Sequence, residues 1–140
     1  MKRIISAFLL LVLVFSSATG VMAETPAADT PTPRYTGIAS CYSNLRSSGN
    51  EMILTGGITP WSGYTCKLTI FFQERDGYSG NWYTKSTYVA TGSATQICSI
   101  DTTITATPGH SYRGYCIFRA FDSSGKMVDE EYGYTTILFM

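Results

Sequence analysis

The stretch TPGHSYRGYCIFRAFDSSGK, residues 107–126, holds a tight turn, an alternating strand and a second tight turn. Pro108 fixes one backbone angle and Gly109 accepts conformations closed to other residues, so the pair marks a turn. Tyr112, Gly114, Cys116, Phe118 and Ala120 then fall on one face, and Arg113 and Arg119 on the other. A period of two with apolar residues on one side predicts a β-strand whose inner face is buried. Asp122-Ser123-Ser124-Gly125 supplies the next turn.

Working outward, the same rhythm repeats. Runs at 36–43, 51–59, 65–75, 82–90, 95–105, 111–121 and 127–138 are rich in Val, Ile, Thr, Tyr and Phe. These residue types favour strands over helices. Between the runs lie Ser48-Gly49-Asn50, Pro60-Trp61-Ser62-Gly63, residues 76–81 and Thr91-Gly92-Ser93, each with turn chemistry. No amphipathic helix interrupts them. Short strands at this spacing predict an all-β sandwich or barrel of seven antiparallel strands. Cys66, Leu68, Ile70 and Phe72 share one face, as do Cys98, Ile100, Thr102 and Ile104. Three of the four cysteines therefore lie on core-facing phases, while the run around Cys41 is weakly patterned.

The N-terminal segment reads differently. Lys2 and Arg3 precede an apolar run over residues 4–15, and Val21-Met22-Ala23 suits a cleavage site before Glu24. This is the layout of a secretory signal peptide, too short in its apolar part to span a bilayer. Residues 24–34, rich in Pro, Thr and Ala, are expected to be a disordered lead-in, and residues 35–140 to be the folded domain. Cleavage removes two of ten basic residues and none of ten acidic ones, leaving a net charge of −2. That balance argues against nucleic acid as a partner. No membrane insertion is expected after cleavage, and the expected location is extracellular.

The Pro108-Gly109-His110-Ser111-Tyr112 turn resembles the corner that opens strand F in fibronectin type III and other immunoglobulin-like domains. Residues 118–126 resemble the hairpin that follows there. The resemblance implies a sandwich in which Tyr112 packs inward and its hydroxyl bonds to nearby backbone. The whole mature chain is also similar to an uncharacterised family of small secreted bacterial β-sandwich proteins, through its signal peptide, Gly80-Asn81-Trp82, and Gly109-His110-Ser111-Tyr112-Arg113. That family implies a fold and no activity. The chain departs from the fibronectin pattern in having four cysteines and no tryptophan in its second run.

An even cysteine count in an exported domain predicts two disulfides. If seven strands run alternately up and down, Cys66 and Cys98 lie near one end, Cys41 near the other and Cys116 between. Bridging needs Cα atoms within about 7 Å. The order favours Cys66–Cys98 with Cys41–Cys116, and leaves Cys66–Cys116 with Cys41–Cys98 open. Spacings without a C-x-x-C pair, and His110 as the one histidine, predict no metal site.

No catalytic residues or cofactor are expected, so the chain reads as no enzyme. His110 reads as a surface turn residue, and Asp129, Glu130 and Glu131 as solvated charge that keeps strand edges apart. The informative surplus is aromatic. Trp61, Tyr64, Tyr78, Trp82 and Tyr83 lie in or beside turns and are expected to form a ligand-binding patch. The function predicted is a secreted binding or adhesion module for an extracellular glycan or protein. The alternative is a small exported toxin or bacteriocin-like effector.

Overall fold

The structure, a computed structural model, describes residues 35–93 and 96–140. The expected signal peptide and lead-in lie outside the described residues. Eight strands follow one another: β1 (Ile38–Ser48), β2 (Glu51–Pro60), β3 (Thr65–Asp76), β4 (Tyr83–Gly92), β5 (Cys98–Thr105), β6 (His110–Phe121), β7 (Met127–Tyr134) and β8 (Leu138–Phe139). They form two antiparallel sheets, one in the order β1-β2-β5 and one in the order β4-β3-β6-β7, with β8 also paired to β6.

The expected all-β, two-sheet arrangement is therefore present, with eight strands instead of seven. The last run divides because Thr135 enters the ladder through its side chain. Its N–H donates to Gly114 O at 2.9 Å, and its hydroxyl accepts from the Gly114 N–H at 2.8 Å. The hydroxyl thus takes the place of a backbone carbonyl, and pairing resumes only at Leu138, opposite Tyr112. The first run is longer than its pattern suggested. It continues to Ser48, and its buried Leu45 pairs with Leu54. The alternation was faint there because the inward positions before Leu45 carry the small Cys41 and Ser43.

The core lies between the sheets. Met52, Leu54 and Ile58 of β2 face Leu68, Ile70 and Phe72 of β3, with Tyr112, Cys116 and Phe118 of β6 beside them, all buried. The sheets approach closely at Gly56, where a Cβ would lie 2.8 Å from Ile70 Cδ1. A larger residue there has to displace the Ile70 side chain. The turn before β6 needs its glycine for a different reason, since Gly109 has φ +85°.

One disulfide joins the sheets. Cys66 on β3 bridges Cys98 on β5, with Cα atoms 6.5 Å apart, as the end-matching of strands suggested. The second expected bridge is absent: Cys41 and Cys116 are both free thiols. Ser43, the next inward residue of β1, hydrogen-bonds the buried Cys116 thiol. Cys41 sits half-buried within electrostatic reach of both Cys116 and Glu131.

The acidic run on β7 also departs from expectation. The Asp129 carboxylate accepts the N–H groups of Gly37 and, at 3.2 Å, of Ile38. It therefore ties the beginning of β1 to β7 across the open side of the sandwich. Glu130 pairs with Arg119 and accepts from the Tyr132 hydroxyl.

Candidate functional site

Two side-chain arrays stand out, one on the outer face of the five-stranded sheet and one inside its end. The first follows from register. Phe71 of β3, Tyr115 of β6 and Tyr134 of β7 are direct cross-strand neighbours. They fall on the phase opposite the core, so their rings project outward together. Tyr115 stacks on Tyr134 with centroids 4.9 Å apart and on Phe71 at 5.9 Å. Tyr132, one row along, is parallel to Tyr115 within 7° at 6.3 Å.

Cations continue the array. The Arg113 guanidinium lies 4.5 Å from the Tyr134 centroid and 4.3 Å from that of Trp82. Arg75 lies 4.5 Å from the same Trp82 ring. Trp82 precedes β4 and folds back over the two arginines, where each contact is worth on the order of 0.5–2 kcal/mol. Arg113 Nε donates to Gln73 Oε1 at 2.8 Å, which fixes the plane of the guanidinium. Neither Arg75 nor Arg113 has a carboxylate partner among the described residues. Tyr132 and Tyr134, on the edge strand, remain 52% and 58% exposed.

No protein-family model matches this chain, and no curated protein matches it. What the site can do is therefore read from its own side chains.

The five aromatics singled out from the sequence do not converge. Trp61 and Tyr64 belong to the β2–β3 turn, where the Trp61 N–H donates to Gly37 O at 2.9 Å. Tyr78, Trp82 and Tyr83 lie at the other end of β3. A 12-residue strand separates the groups, a span of roughly 35–40 Å at strand rise. Tyr78 stacks on Phe139 at 4.2 Å, and Tyr83 pairs across strands with Glu74. Of the five, only Trp82 enters the outer-face array. The members missed, Phe71, Arg75, Arg113, Tyr115, Tyr132 and Tyr134, were legible as off-core phases of β3, β6 and β7.

The second array closes one end of the core. Glu74 is an inward residue of β3 and only 3% exposed. Its carboxylate accepts from the Tyr112 hydroxyl at 2.8 Å and pairs with Lys85 Nζ at 2.8 Å. His110 Nδ1 lies 3.1 Å from Glu74 and 3.2 Å from Asp76, close enough for charge contact yet without hydrogen-bond geometry to either. His110 is thus a half-buried neighbour of two carboxylates, where the sequence suggested a surface residue. Its neighbour Ser111 turns away and donates to Gly77 O at 2.6 Å, so these two side chains do not form a nucleophile–base pair.

Burial pulls the Glu74 carboxyl upward, but the hydrogen bonds from Lys85 and Tyr112 outweigh it and hold the group below its ordinary value. The hydrogen bond that Lys85 donates to Glu74 raises the Lys85 ammonium above its own ordinary value. A depressed carboxyl contributes stability above its unfolded value, about 4.3, and loses it as pH falls through the folded value. A raised ammonium contributes stability below its unfolded value, about 10.4, and loses it as pH rises through the folded one. The expected result is a stability plateau across neutral pH that falls in acid below the ordinary carboxylate range and again in strong alkali. Urea midpoints across pH measure it. Glu74→Gln should flatten the acid limb; an unchanged limb would assign it to other groups.

Proposed function

We propose that this chain is an exported, non-enzymatic binding module on a fibronectin type III-like sandwich, with the outer face of the five-stranded sheet as its binding surface. The observation that carries the reading is the array of Tyr115, Tyr132, Tyr134, Trp82, Arg75 and Arg113, which presents exposed rings and two guanidinium groups without a carboxylate partner among the described residues. Tyr, Trp and Arg are the side chains that anchor binding most often, because they offer large contact area at small entropic cost. The ligand class is an extracellular glycan or protein.

Several features support the accompanying fold and location. The strand order β1-β2-β5 against β4-β3-β6-β7 suits an immunoglobulin-like sandwich. So does the Tyr112 hydroxyl, which accepts the Thr107 N–H at 2.7 Å just upstream of its own strand. Residues 1–23 have the composition of a secretory signal, and the Cys66–Cys98 bridge suits an oxidising compartment.

The test is binding of the labelled protein to a glycan array and to intact cell surfaces. The double variant Tyr132→Ser/Tyr134→Ser removes the two most exposed rings of the array. It should weaken binding at least about tenfold, which is about 1.4 kcal/mol, while the urea midpoint stays near that of the parent. Equal binding by parent and variant would move the function off this face.

A further inference from the structure

The outer face of the five-stranded sheet carries a net positive charge. Lys67, Arg75, Arg113 and Arg119 occupy its two central strands, and of the acidic residues of the paired strands only Glu130 shares their phase. Glu130 is committed to Arg119 and Tyr132. The face is therefore cationic on a domain whose overall balance is acidic.

The aromatic members dictate what such a charge can meet. Rings on neighbouring strands stand parallel, between 7° and 28° apart from Tyr132 through Tyr115 to Tyr134. Side chains standing off a sheet in this way form a comb, in which Tyr132, stacked on Tyr115, is 52% exposed along the edge strand, while the Tyr134 ring carries Tyr115 and Arg113. Hydroxyl tips suit sugar hydroxyls, and an open ring face suits the apolar face of a pyranose. Arg113 is held flat by Gln73, Trp82 and Tyr134. Arg75 is held by Trp82 alone among the described residues, and its Nε is buried without an acceptor. Two planar guanidinium groups, oriented in advance and without a carboxylate partner among the described residues, are built to receive carboxylates through paired N–H donors.

We infer that the ligand of this face is an acidic polysaccharide, a chain of pyranose rings bearing carboxylates, with the tyrosine comb taking the rings and Arg75 and Arg113 taking the acid groups. The inference rests on the binding reading above and specifies its substrate class. Charge complementarity favours it over a neutral glycan, which would leave both guanidinium groups unanswered.

The chain has two tryptophans, and Trp61 lies at the far end of β3 from the array. Trp61→Phe thus leaves Trp82 as the emitting residue between the two arginines. The probe is an oligogalacturonate, and its controls are the methyl-esterified oligomer, which keeps the rings without the charge, and a neutral cello-oligosaccharide. Oligogalacturonate should shift Trp82 emission saturably. Full methyl esterification should weaken binding at least about tenfold. Raising salt from about 0.05 M to 0.5 M should weaken it by a similar factor, because exposed charges are screened. Arg75→Gln, which removes one of the two guanidinium charges, should remove about half of the salt dependence, and Arg113→Lys should fail to reach full affinity because an ammonium cannot pair bidentately.

Equal binding of the esterified and free oligomers would overturn the acidic ligand and leave the binding face standing. Silence of Trp82 towards all three, in a protein whose urea transition is intact, together with no loss of cell-surface binding in the Tyr132→Ser/Tyr134→Ser variant, would overturn both.

Discussion

Replacing Tyr112 by Ala is expected to destabilise the domain by about 3–5 kcal/mol, the range for deleting a large buried aromatic ring. The ring is fully buried and stacks on Phe72 at 5.4 Å, so its removal opens a cavity at the end of the core. The hydroxyl is equally engaged. It accepts from the Thr107 N–H at 2.7 Å and donates to the buried Glu74 carboxylate at 2.8 Å. Tyr112→Phe keeps the ring and strands both partners, which should cost about 1–3 kcal/mol. A domain of this size has roughly 5–15 kcal/mol in hand, so the Ala variant should lie near the edge of folding while the Phe variant still unfolds cooperatively. Urea denaturation of the pair separates ring from hydroxyl. A Phe variant as stable as the parent would mean that water replaces the hydroxyl at both contacts.

The acid and tyrosine are coupled, and this bears on pH. In Tyr112→Phe, Glu74 loses one of the two hydrogen bonds that hold its carboxyl down. The acid limb of the stability curve should therefore be smaller than in the parent and end at a higher pH, with its onset still set by the unfolded carboxyl. The same substitution leaves Lys85 paired to Glu74, so the alkaline limb should stay in place.

Tyr112 also shows how much could be read from the chain alone. Its inward phase, and the turn that delivers it, follow from Pro108-Gly109 and the alternation of residues 112–120, because a strand half buried in a core has to alternate. Its partner Glu74 was hidden for the same reason. A carboxylate on a core-facing phase looks like the end of a strand until the lysine, tyrosine and histidine that compensate it are assembled from β4 and β6. The outer-face array was half legible. The phases of Phe71, Arg113 and Tyr115 were available, yet which rings become neighbours depends on register between strands distant in sequence. The misjudged aromatics have a simpler cause: Trp61 and Trp82 flank the run at 65–75, whose length already puts them at opposite ends of one strand. The break before β8 rests on one threonine hydroxyl replacing a carbonyl, which a pattern of side-chain types does not encode.

Removing the Cys66–Cys98 bridge is the other change expected to act strongly. Its partners are 32 positions apart and belong to different sheets. Closing a loop of that length restricts the unfolded chain by about 3–4 kcal/mol on the chain-entropy account. The folded side adds to the effect. β5 has β2 as its one hydrogen-bonded neighbour and is the edge of the three-stranded sheet, so the bridge is the covalent restraint that keeps it over β3. Cys66→Ala/Cys98→Ala should lower the thermal midpoint by roughly 15–25 °C. Loosening should begin at β5, seen as faster amide exchange there than in β3 or β6. Thiol counting gives the complementary result. Unfolded without reductant, two cysteines should alkylate, and four after reduction, because Cys41 and Cys116 are free. In the native protein both should react slowly, since burial is the main influence raising each thiol above its ordinary value, with Glu131 adding to it at Cys41. Finding no reactive thiol in the unfolded, unreduced chain would mean that Cys41 and Cys116 are bridged as well. The double variant would then retain a second cross-link and lose far less than the single bridge predicts.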